Sequence, residues 1–60
     1  MPIIHVEMFE GRSKEQREAF AKVVTEAAVE KLNAPVEHTW VIFKESPKSF
    51  WAFQGKLCDG

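Results

Sequence analysis

The chain has a single cysteine, Cys58, no long apolar run and no excess of charge of either sign. Each shortage closes off a class of protein. One cysteine excludes an internal disulfide framework. The only histidines, His5 and His38, have no partner at metal-ligand spacing, so no metal site is expected. No stretch is long enough to span a membrane. The N-terminus lacks both the positive region and the apolar core of a signal peptide, so the expected location is cytoplasmic. A formal net charge of −1 provides no basic stripe for phosphates and argues against nucleic acid as a partner. There are no repeats, linkers or low-complexity tracts.

What is present makes one small domain, residues 1–60, with 45% hydrophobic residues that include two tryptophans and five phenylalanines. A domain of this size buries only about 60% of the surface its unfolded chain exposes. Small scaffolds compensate with disulfides, a metal or a partner, and the first two are excluded above. Self-association is therefore expected, with many aromatics at subunit contacts or around a site between subunits.

"PIIHVEMF", from Pro2 to Phe9, alternates and is rich in β-branched residues, which predicts a strand. Ile4, Val6 and Met8 share one of its faces; Ile3, His5, Glu7 and Phe9 share the other. "EGRS" predicts a turn and "SKEQ" a capping box between Ser13 and Gln16. Phe20, Val23, Val24, Ala27, Ala28 and Leu32 then recur at helical spacing as an apolar stripe. Lys14, Arg17, Glu18, Lys22, Glu26 and Glu30 fall largely on the solvated side. "NAP" ends the helix at Asn33 and Pro35. "HTWVIFKE", residues 38 to 45, predicts a second strand. "FWAFQG" predicts a short strand-like segment, and the residues after it resemble a frayed end. The fold class is α+β: one βαβ unit with parallel strands, right-handed by the usual crossover rule, and a short C-terminal hairpin segment.

The second residue raises the chemical question. Proline behind an initiator methionine is small enough for methionine trimming to expose it. Pro2 is then either a strand-initial proline without a role or a terminal secondary amine able to act as a base. An α-amino group titrates near about 8, and desolvation or a nearby cation lowers that value toward a useful range for proton transfer. Arg12, in the turn before the helix, is either solvated or a planar fork for a carboxylate or enolate oxygen. Trp40, Phe50, Trp51 and Phe53 are packing residues or an apolar wall that excludes water from a site. Glu7, Glu10 and Glu45 have no spacing that defines an acid/base pair. Cys58 lies too near the end to stand out as a nucleophile.

"MPIIHVEMFEGRSKEQ", the helix ending "LNAPVEH" and the strand "VIFKESP" followed by Trp51 together resemble the 4-oxalocrotonate tautomerase family over nearly the whole chain. That resemblance implies βαβ subunits assembled as homohexamers (trimers of dimers), no cofactor or metal, and sites at subunit boundaries. It implies that Pro2 is the general base and acid that moves a proton between carbon positions of an enol or unsaturated 2-oxo acid. It further implies that Arg12, reaching in from a neighbouring subunit, binds a substrate carboxylate. Phe9 then forms an apolar wall, and Trp51 stands where the family has a site-closing aromatic.

One departure bears on the substrate. Where the family has a second arginine in its second strand, this chain has Trp40. Losing a fixed cation at a developing enolate costs roughly 3 to 4 kcal/mol. This predicts a substrate other than 2-hydroxymuconate, such as a monoacid with an apolar or aromatic tail, with Trp40 shaping its pocket. Lys44, on the same strand face as Trp40, is a candidate replacement cation. Two further readings stay open: hydratase or dehalogenase chemistry on unsaturated acids, with Glu7 or Glu45 orienting water, and an inactive or partner-dependent subunit of a mixed oligomer.

Overall fold

Alternation in "IIHVEMF" produces strand β1, Ile3–Phe9, and the β-branched and aromatic run "WVIFKES" produces β2, Trp40–Ser46. In the computed structural model, which describes residues 1–59, the two strands pair in parallel, from Ile3 opposite Trp40 to Phe9 opposite Ser46. Pro2 lies one residue before β1, but its carbonyl extends the ladder by accepting from the Trp40 N–H at 3.1 Å.

Helix α1, Lys14–Leu32, joins the strands. The capping box is complete: the Gln16 N–H donates to Ser13 Oγ at 3.1 Å, and the Ser13 N–H donates to Gln16 Oε1 at 2.9 Å. At the other end Asn33 adopts a left-handed conformation, φ 54°, and the Asn33 and Ala34 N–H groups both reach the Ala28 carbonyl. The helix therefore starts and stops where the polar side chains and Asn33 dictate.

Three expectations shift. Residues Val36–His38 form a single 3₁₀ turn, so β2 starts at Trp40 and not at His38. Pro35 accounts for this: its carbonyl accepts from the His38 N–H and the Thr39 hydroxyl, which curls the chain before it extends. Another 3₁₀ turn at Lys48–Phe50 precedes a hairpin of β3, Ala52–Phe53, and β4, Lys56–Leu57. Residues 56 and 57, which resembled a frayed end, are thus paired. Gln54 and Gly55 make their turn with φ values of 54° and 80°, the positive pair that a two-residue I′ connection requires.

The third shift concerns the helix stripe. Ala28 is buried and Ala21, Val24 and Thr25 are half-buried, whereas Phe20, Val23, Ala27 and Leu32 remain largely exposed. Two strands are too narrow to cover the whole stripe. Arg17, expected on the solvated side, instead turns toward β2 and pairs with Glu45 at 3.0 Å.

Val6, Met8 and Phe43 face the helix side, and Phe20 meets Phe43 edge-on at 6.2 Å. The opposite sheet face leaves Ile3, Trp40 and Ile42 open, between 41% and 58% exposed. The subunit is strongly elongated, 42 × 24 × 14 Å, with a radius of gyration of 14.4 Å; a compact chain of this length has about 10 Å. Its accessible surface is 5022 Å² against roughly 4,000 Å² for a folded monomer of this mass. Among the described residues no helix is long and apolar enough to cross a membrane.

Candidate active site

The C-terminal end of β1 is where side chains with chemical potential collect. Gly11, at φ 124°, takes the chain off the strand through a conformation that suits glycine and delivers Arg12 to the foot of the helix. Arg12 Nη1 donates to the Phe9 carbonyl at 3.4 Å. Behind it, Arg17 Nη1 donates both to the Arg12 carbonyl at 3.1 Å and to Glu45 Oε1 at 3.0 Å. One guanidinium thereby ties the turn to β2.

Ser46 ends β2, and Pro47 at φ −68° opens the turn that follows. The Phe50 N–H donates to the Pro47 carbonyl at 2.9 Å and the Trp51 N–H to the Lys48 carbonyl at 3.1 Å. That turn brings Trp51 back over the strand end. Its indole Nε1 donates to Ser46 Oγ at 2.8 Å, and its ring meets Phe9 edge to face at 4.7 Å. The Cys58 N–H, donating to the Trp51 carbonyl at 2.9 Å, docks the hairpin behind it. Lys48 Nζ stands 5.6 Å from the centre of the Phe9 ring.

Two concavities flank Arg12. A groove of about 370 Å³ is lined by Phe9, Glu10, Gly11, Arg12, Gln16 and Lys48. An apolar cavity of about 230 Å³ lies under the helix among Val6, Met8, Phe20 and Phe43, with Arg12, Gln16 and Arg17 at its polar edge. Arg12 and Gln16 line both.

Within one subunit the candidate residues form two groups. Phe9, Arg12 and Trp51 gather at the C-terminal end of β1. Pro2 and Trp40 stand together at its N-terminal end, joined by their backbone hydrogen bond. Phe9 lies seven residue steps along the chain from Pro2, about 23 Å at 3.3 Å per residue. A single chain therefore places an arginine beside two packed aromatic rings at one end, and a proline beside a tryptophan at the other.

The remaining candidates sort plainly. Phe50 and Phe53 are 80% and 73% exposed and do not join Trp51. Glu45 is engaged by Arg17, so it is not a free carboxylate for orienting water. Lys44 lies opposite Glu7, four residues along β2 from Trp40, and not at Trp40 itself. Sequence reasoning does not reach Ser46 or Lys48; their one signal is Pro47 between them, which marks a turn without revealing that it folds back onto Phe9.

Residues 2–59 match the family described as tautomerase enzyme. The chain belongs to the tautomerase family. Among curated members, a probable tautomerase of Streptococcus pneumoniae serotype 4 is 40% identical over 57 residues, 95% of each chain. A 2-hydroxymuconate tautomerase of Pseudomonas putida is 41% identical over 56 residues, 93% of this chain and 89% of that one. Among solved structures, TomN, a 4-oxalocrotonate tautomerase homologue of the tomaymycin biosynthetic pathway, superposes with a TM-score of 0.91 at 38% identity, covering 97% of this chain and 89% of TomN. A heterohexameric 4-oxalocrotonate tautomerase from Chloroflexus aurantiacus superposes with a TM-score of 0.91 at 29% identity, covering 98% and 95%. This tautomerase-family chain shares with them the single βαβ subunit, and its relatives support an isomerase-type enzyme.

Proposed function

We propose that the protein is an oligomeric tautomerase in which Pro2, freed by removal of Met1, moves a proton between positions of an enol or unsaturated 2-oxo acid. The single observation that carries this reading is the separation of Pro2 from Arg12. Each end of the subunit holds half of a proton-transfer site, and a second copy supplies the other half.

In this reading the free secondary amine of Pro2 takes a proton from the bound enol. The electron pair spreads over the conjugated acid, and the prolinium returns a proton to carbon, so the amine ends as it began. Arg12 of a neighbouring subunit holds the substrate carboxylate through its planar fork. Phe9 and Trp51 wall the site, and Trp40 covers the Pro2 end with apolar surface. Keeping the amine dry favours its uncharged form. Trp40 offers no charge to a second carboxylate, which supports a monoacid with an apolar tail.

Elongation, excess accessible surface and the open Ile3–Trp40–Ile42 face support assembly. The heterohexameric Chloroflexus relative supports a hexamer as its form. The test is ketonisation of phenylenolpyruvate by protein whose intact mass lacks Met1. Loss of most of this activity in Pro2→Ala is expected. Full activity in that variant, or in protein that retains Met1, would refute the proposal.

A further inference from the structure

Lys48 belongs to neither half of the site as read from sequence, yet it lines the same groove as Arg12. Both cations are anchored to one residue: Arg12 donates to the Phe9 carbonyl, and Lys48 stands over the Phe9 ring. Such a cation–π contact holds the ammonium near the groove while leaving its N–H donors free. Neither side chain has a carboxylate within ion-pair distance among the described residues, which is also true of Lys22, Lys44 and Lys56, but only Arg12 and Lys48 line this groove. The position of Lys48 is also defined by its backbone. The 3₁₀ turn that seats Trp51 against Phe9 sets the Lys48 Cα at the same time.

We infer that Lys48 is a second anion-binding residue of the Arg12 groove, and that the two cations together hold a single carboxylate of a monoacid substrate. The charge of the groove sets that number. Its two cations face one acid, Glu10, which leaves one net positive charge, enough for one carboxylate and not for two. The guanidinium fork supplies direction, and the ammonium, a compact point charge, supplies additional attraction from the other wall. The inference rests on the proposed function for the identity of the reacting group, but the binding it describes needs neither Pro2 nor turnover.

The experiment measures calorimetric binding of three probes to the intact oligomer: 2,4-hexadienoate, its primary amide, and hexa-2,4-dienedioate. Wild-type protein is expected to prefer the acid over the amide by roughly tenfold or more, from charge-assisted hydrogen bonds, and to bind the diacid no more tightly than the monoacid. Lys48→Met reduces the acid preference roughly tenfold and leaves amide affinity unchanged, while Lys48→Arg keeps the preference. Added salt weakens the acid alone in wild-type protein, a readout that needs no variant. The inference is overturned if Lys48→Met preserves the preference, if it weakens acid and amide alike, if wild-type protein shows no preference, or if the diacid binds about tenfold more tightly. Catalysis by Pro2→Ala at the wild-type rate would sink the proline mechanism and leave the binding result standing. A Lys48 variant without effect, beside an impaired Arg12→Met, would sink this inference alone.

Discussion

Pro2 and Arg12 stand beyond opposite ends of one strand, with the seven residues of β1 between them. Under the proposed function, a small substrate that touches both lies between two copies of the chain. That geometry turns a question of catalysis into one of assembly.

Subunit mixing tests it directly. Pro2→Ala and Arg12→Ala subunits are each expected to be nearly inactive alone. Unfolded together in equal amounts and refolded, they regain about a quarter of the wild-type sites, because half the subunits carry each intact half and the halves combine at random. No recovery in mixed oligomers would mean that proline and arginine do not share a site.

Assembly itself is measurable by light scattering, where a mass several times the 6.9 kDa subunit is expected. Because association and folding are then linked, the unfolding temperature rises with protein concentration. A concentration-independent monomer would contradict the composite site.

The pH profile reports the protonation state. A base must be uncharged to accept a proton, so kcat/KM is expected to rise with pH through the titration of the Pro2 amine and then level off. A rate that falls through the same range would indicate that the ammonium is the active form.

The Trp51 indole hydrogen bond to Ser46 predicts a graded pair of variants. Ser46→Ala removes the partner of a part-buried donor and costs about 1 kcal/mol in chemical unfolding at fixed protein concentration. Trp51→Phe keeps the edge contact with Phe9 and retains activity, whereas Trp51→Ala opens the wall and lowers kcat/KM. Equal activity of the Phe and Ala variants would remove Trp51 from the site.

The helix cap provides a control away from the chemistry. Ser13→Ala deletes the hydroxyl that accepts from the Gln16 N–H and is expected to cost about 1 kcal/mol of stability. The loss appears as a shifted denaturation midpoint. A change in stability below the error of that measurement would mean that the box is dispensable.

Much of the fold was legible because local rules agree with the global arrangement. Ser13, Gln16 and Asn33 set the helix ends through bonds to their own neighbours, and alternation marked β1 without ambiguity. The candidate site residues Pro2 and Arg12 were singled out by the family resemblance, because a strand-initial proline and a turn arginine are by themselves ordinary. Sequence reasoning failed where a turn reverses direction. Nothing in "SPKSFW" reveals that Trp51 returns to Phe9, or that Lys48 arrives with it.

By itself the sequence determined β1, the helix with its two caps and the core of β2, because those depend on bonds and alternation between residues a few positions apart. Only the tertiary structure decided that Arg17 neutralises Glu45 and that Arg12 and Lys48 share one groove. Those relations depend on parallel pairing and on a folded-back turn, which bring together residues that no local rule connects.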